Sequence, residues 1–231
     1  MNIKPVKTRD KVLITYTKKH WDLLDKFRRR ALTIMEALHP QVRLLLVGSV
    51  ARGDVHEGSD VDLAMLEPYP PGLLEELLTS KGFHICSREV VQATPLSTPK
   101  LYLHIPGNVK VSIPLSRLSP LEEEFYRFAG CLTLNGLKEA RRVAGVNKRL
   151  LLILPTSEGH VEFSIIGREA EAARILNVSI RIVGERVEKL LTRDRRGRRG
   201  LYIRALIPPW EGTEEFIKKL QRKHPSLRNI L

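Results

Sequence analysis

The stretch Leu46-Val47-Gly48-Ser49-Val50-Ala51-Arg52-Gly53-Asp54-Val55-His56-Glu57-Gly58-Ser59-Asp60-Val61-Asp62-Leu63 decides the reading of this chain. The apolar run from Arg43 to Val47 stops at Gly48, the pattern of a buried strand followed by a tight turn. Gly48 has no side chain, so the backbone there can approach a phosphate closely. Ser49 adds a hydroxyl, and Val50 to Arg52 opens a helix whose first N–H groups are suited to anions. Asp60 and Asp62 follow at the start of a second strand, Val61 to Leu66. Residues two apart on a strand share a face, so both carboxylates look into one site while Val61, Leu63 and Met65 enter the core. Two carboxylates beside a phosphate cradle suit Mg²⁺, which binds through one or two carboxylates plus substrate oxygens.

Working outward, Leu24, Phe27, Ala31, Met35 and Leu38 recur at helical spacing, which predicts a first helix from Lys11 to Leu38, ended by Pro40. Pro71 and Gly72 open another helix through Leu78. Strands are expected from Phe83 to Gln92, Lys100 to Ile105 and Val109 to Leu115, the last two forming a hairpin around Pro106-Gly107-Asn108. The result is a mixed α/β (α+β) domain over residues 1–118.

The spacing of Gly48 and Ser49 from Asp60 and Asp62, with an apolar strand before each pair, resembles the DNA polymerase β-type nucleotidyltransferase superfamily, especially its small archaeal and bacterial members. Ala51, Arg52, Gly53 and Ser59 extend the likeness. The resemblance implies a polymerase β-like fold with a mixed sheet, a nucleoside triphosphate substrate and Mg²⁺. It implies Asp60 and Asp62 as catalytic metal ligands, and Gly48, Ser49, Arg52 and Ser59 as nucleotide-binding residues. For Arg52 a structural ion pair explains the residue equally well. The family also supplies a third carboxylate from a later strand. Here Ser112 stands at that position, and a serine cannot replace a carboxylate's charge between two divalent ions. Either another acid fills in, Glu89 on the preceding strand being one candidate, or the protein works with fewer metals, or it is a binding relic. His56 and Glu57 read as solvated loop residues, and His104 as a hairpin residue near Ser112.

From Ser119-Pro120 onward the character changes, which sets a second domain at residues 119–231. Helices are expected at about 120–130 and 136–144, followed by a hairpin of Arg149 to Pro155 and His160 to Ile166. The run from Glu171 to Ser179, followed by a helix over Ile180 to Arg193, resembles a helix-turn-helix, with Asn177 in the turn and Ser179 as cap. Arg195, Arg196, Arg198 and Arg199, followed by a strand from Leu201 to Ile207, resemble the wing of a winged-helix domain. On that reading Arg181 and Arg186 face DNA or RNA from the second helix, and the four wing arginines contact phosphates.

Charge is consistent with a polyanionic partner: 39 Lys+Arg against 26 Asp+Glu give a net +13. Both halves are basic, with 17 against 12 up to residue 118 and 22 against 14 beyond it. Six Asn and three Gln beside 28% charged residues follow the composition of thermophile proteins. No apolar run is long enough to cross a bilayer, and the start of the chain lacks a secretory signal, so a cytoplasmic protein is expected. Cys86 and Cys131 lack metal-ligand spacing and read as buried free thiols.

Overall fold

The computed structural model describes residues 4–196 and 200–227. Helix α1 begins at Lys18 and runs to Leu38, capped by Thr17, whose hydroxyl accepts from the His20 N–H. The expected start at Lys11 is therefore seven residues early. The β-branched and apolar run Val12–Thr15 favours extended backbone and forms strand β1 instead. The stripe Leu24, Phe27, Ala31, Met35 and Leu38 is buried, with Ile34 added to it.

After α1 come β2 (Leu45–Val47), the single-turn α2 (Ser49–Arg52), β3 (Val61–Ala64) and α3 (Pro71–Ser80). Next are β4 (Ser87–Gln92), β5 (Lys100–Ile105) and β6 (Val109–Pro114), the last two joined by the expected hairpin turn. The second half supplies α4 (Pro120–Ala129), β7 (Cys131–Leu132), α5 (Leu134–Lys138), β8 (Gly145–Val146), β9 (Leu151–Thr156) and β10 (Gly159–Ser164). It ends with α6 (Glu169–Leu176), α7 (Ile180–Arg196), β11 (Ile203–Ile207) and α8 (Thr213–Lys223). Helix α5 is shorter than the expected 136–144.

Two sheets result. One is a mixed seven-stranded sheet in the order β11-β4-β5-β6-β3-β2-β7, in which β3 and β6 are the parallel pair. The other is antiparallel, β1-β10-β9-β8. The mixed α/β architecture fits a nucleotidyltransferase domain.

A cut between residues 118 and 119 would cross both sheets. Strand β1 lies on β10, and β11 lies on β4. Helix α4 joins the two halves: Tyr126 and Ala129 pack with Val47 and Ala64 of the first sheet, while Phe128 enters the core formed by Leu152, Phe163 and Val183. Two glycines at these junctions have no room for a side chain. A Cβ on Gly145 would come within 2.6 Å of the Gly130 nitrogen, and one on Gly159 would overlap the Ile14 carbonyl oxygen. Gly159→Ala is accordingly expected to lower the unfolding free energy by about 1–3 kcal/mol, the cost of overpacking. Amide hydrogen exchange should show lost protection in Val12–Thr15; full protection there would count against this docking.

The helix-turn-helix pattern has its helices: Asn177 is left-handed (φ 50°) between α6 and α7, and the Ser179 hydroxyl accepts from the Ile182 N–H. The wing does not follow. The strand after the basic segment is β11, whose Ile203 and Ile207 are buried at the edge of the seven-stranded sheet. Its place beside β4 takes it away from the β9–β10 hairpin, whose outer edge is already covered by β1. Both cysteines are free, but neither is fully buried as expected: Cys86 is exposed and Cys131 half-buried. No helix among the described residues is long and apolar enough to cross a membrane.

Candidate active site

Strand β2 ends at Val47, which lies opposite Asp62 in the antiparallel β2–β3 ladder. The pairing carries the following turn to the carboxylates. Gly48 sits at φ 83°, ψ −143°, a region essentially restricted to glycine. Nothing lies within 4 Å of where its Cβ would be, so the surface there is open to a ligand. Its N–H donates to the Gly130 carbonyl at 2.9 Å, tying the turn to the end of α4. Ser49 is half-buried and starts α2. The four residues Gly48, Ser49, Asp60 and Asp62 thus converge at one end of the sheet.

Asp62 is exposed, yet its carboxyl is held above its ordinary value. Desolvation is the largest cause, with Asp60 adding to it, while Lys110 and then Lys148 oppose. Asp60 is ion-paired: Lys110 Nζ donates to its Oδ2 at 2.6 Å. Neither lysine stood out in the sequence. Lys110 had a signal, since it lies two residues before Ser112 on β6 and must share its face. Lys148 had none, because only the docking of the β8–β9 turn brings its charge to Asp62.

Two of the other residues implied by the resemblance are bound into the structure. Arg52 is buried: its Nε and Nη2 donate to the two oxygens of Asp54 at 2.9 and 3.0 Å, and Nη1 donates to the Ala129 carbonyl at 2.6 Å. Its guanidinium is a structural ion pair, not a triphosphate contact. Ser59 is also buried, and its hydroxyl accepts from the His56 N–H at 2.9 Å, closing the spacer loop. Glu57 is exposed and pairs with Lys19 at 2.8 Å. His104 faces Glu89 at 3.1 Å, and Glu89 also accepts from Arg204 at 2.8 Å.

Glu89 lies on β4, three strands from β3 in the sheet order. At about 4.8 Å per strand that is roughly 14 Å away, so Glu89 cannot serve as the missing third acid. Ser112 is on the same face as Asp62 but level with Ala64, and its hydroxyl donates to the Leu63 carbonyl at 3.4 Å. Among the described residues no group of three or more His, Cys, Asp or Glu side chains converges as a metal site. Two carboxylates beside an open turn fit one Mg²⁺ with phosphate oxygens completing its shell. They do not fit the three-carboxylate arrangement for two ions. A hollow of about 450 Å³ between α1 and the β5–β6 turn, lined in part by Lys26, Arg30 and Asn108, shares no lining residue with Gly48, Ser49, Asp60 and Asp62.

The expected nucleic-acid contacts divide. Arg181 and Arg195 are exposed. Arg186 is not available: it lies over the Phe125 ring at 4.7 Å, its Nε is buried without a hydrogen-bond partner, and burial lowers its pKa. The helical stripe Val183–Val187 turns it toward α4. Glu124 of α4 accepts from the N–H and the hydroxyl of Ser179, placing a carboxylate where α7 begins. Glu185 and Glu188 share the exposed side of α7. Arg196 closes α7, and Arg198 and Arg199 lie outside the described residues.

No curated protein and no solved structure matches the chain. Residues 28–93, which span the second half of α1, the Gly48–Ser49 turn, Asp60 and Asp62, match the family model described as a nucleotidyltransferase domain, so that this part of the chain is similar to nucleotidyltransferases.

Proposed function

We propose that the protein binds a nucleoside triphosphate at the Gly48–Asp62 site and transfers its nucleotidyl group to an acceptor hydroxyl. The observation that carries this reading is the register of Val47 with Asp62, which sets the open Gly48–Ser49 turn beside the two carboxylates. Gly48 lets the phosphates approach the backbone, and Ser49 offers a hydroxyl to a phosphate oxygen. Asp60 and Asp62 would hold Mg²⁺, which when bound neutralises triphosphate charge and favours departure of pyrophosphate. Lys110 steadies Asp60 and brings a positive charge to the same face. In the net reaction the acceptor oxygen bonds to the α-phosphorus, the bond to pyrophosphate breaks, and the acceptor proton passes to solvent.

A nucleic acid is the acceptor class that the +13 charge favours. Arg181 and Arg195 are exposed arginines of α7 that would meet its phosphates. Incubation with α-labelled nucleoside triphosphates and short DNA or RNA acceptors tests the proposal. Label should pass to the acceptor with release of pyrophosphate, and transfer should fall by at least tenfold in Ser49→Ala. Absence of transfer to every acceptor, with nucleotide binding intact, would favour a second reading, a nucleic-acid-binding regulator whose transferase fold is inactive. The observation on its side is the Lys110–Asp60 ion pair, together with the serine at position 112.

A further inference from the structure

We propose that Lys110 is a tethered cation standing in for a second divalent ion, so that a nucleoside triphosphate enters this site with one metal ion rather than two. The inference rests on the triphosphate reading above and deepens it. Strands β3 and β6 run parallel with Asp62 level with Lys110 and Ala64 level with Ser112. Partners in register point to the same face, so position 110 and position 112 are the two places from which β6 can address the acid pair. One holds a lysine and the other a serine; no carboxylate of β6 is there to hold another ion.

Charge decides between an incidental ion pair and a stand-in. Two divalent ions held roughly 4 Å apart bring four positive charges, and the two carboxylates of Asp60 and Asp62 offset half of them. The Lys110 ammonium adds a further positive charge at 2.6 Å from an Asp60 oxygen. Lys148 contributes in the same direction, since its charge reaches Asp62 from the β8–β9 turn. A second divalent ion would face repulsion from both lysines with no third acid to compensate. An ammonium suits the vacated role in one respect: it has three donors, so it can keep Asp60 and still donate to a phosphate oxygen. Its charge is a single one, so it can hold a triphosphate oxygen but cannot polarise it as a divalent ion would.

The test is to count Mn²⁺ by electron paramagnetic resonance on the full chain, titrated with an α,β-methylene nucleoside triphosphate. One Mn²⁺ per bound nucleotide is expected in the wild type and in Lys110→Arg. Lys110→Met/Ser112→Asp, which removes the ammonium and supplies an acid, should bind two. Lys110→Met and Lys110→Gln should each weaken binding of the analogue at least tenfold when Mn²⁺ is withheld. Two ions per nucleotide in the wild type would overturn the proposal while leaving the triphosphate site standing. Unchanged metal-free affinity in both single variants, with thermal unfolding like that of the wild type, would also overturn it and mark Lys110 as a surface ion pair. Failure of the wild type to bind the analogue under any condition would remove the triphosphate reading itself, and this inference with it.

Discussion

Replacing Arg52 with Met is expected to lower the unfolding free energy by about 3–5 kcal/mol, the cost of removing one partner from a buried ion pair. The Arg52 and Asp54 side chains are 5% and 12% exposed, so water can do little to solvate the carboxylate left behind. The loss extends further, because Arg52 also donates to the Ala129 carbonyl at the end of α4. That bond fixes α4 against the Gly48–Arg52 turn, together with the Gly48 N–H bond to Gly130. Denaturant unfolding should show the midpoint falling with little change in slope. Arg52→Met/Asp54→Leu should recover much of the loss, since an apolar pair of similar volume avoids burying a lone charge. A loss under 1 kcal/mol accompanied by a large drop in nucleotide affinity would return Arg52 to the triphosphate and undo the assignment made from its surroundings.

The same residue shows where sequence reading reaches its limit. Arg52 follows Gly48 and Ser49 at the spacing expected of a phosphate contact, and an ion pair explained it equally well; only the position of Asp54 and of the α4 carboxy end separates the two. Local signals carried the first half. An apolar run ending at Gly48 located β2, the period-two pattern from Val61 located β3, and Pro71 located α3. The alternation through Lys100–Ile105 and Val109–Pro114 located the hairpin. Long-range pairing left no such trace. Val12–Thr15 was absorbed into a helix because Lys11 to Leu38 carries no proline or glycine. Its partner, β10, lies more than 140 residues away. The edge strand Ile203–Ile207 has the alternation of any half-buried strand, and nothing in it distinguishes a wing from a place beside β4.

The site was legible in the same proportion. Asp60 and Asp62 follow from period-two geometry, and Gly48 from the abrupt end of an apolar run. The cations around them depend on sheet register and on the docking of a distant turn, as at Lys110 and Lys148. Arg186 departs from expectation for a related reason. A helical arginine next to the apolar stripe can cover an aromatic ring as readily as a phosphate, and Phe125 on α4 offers that ring.

A single calorimetric comparison tests whether Asp60 and Asp62 form a metal-dependent nucleoside triphosphate site. Wild type and Asp60→Asn/Asp62→Asn are titrated with each of the four nucleoside triphosphates, with Mg²⁺ and with a chelator. The double amide keeps the shape of both side chains but removes the charges that would hold the ion. Its fold should persist, because the Asp62 carboxyl is already poorly solvated in its charged form and a neutral amide relieves that cost. Mg²⁺-dependent binding is expected in the wild type, weakening at least 100-fold in the variant at similar thermal stability. Equal affinity in the two proteins, or binding indifferent to Mg²⁺ in both, would contradict it.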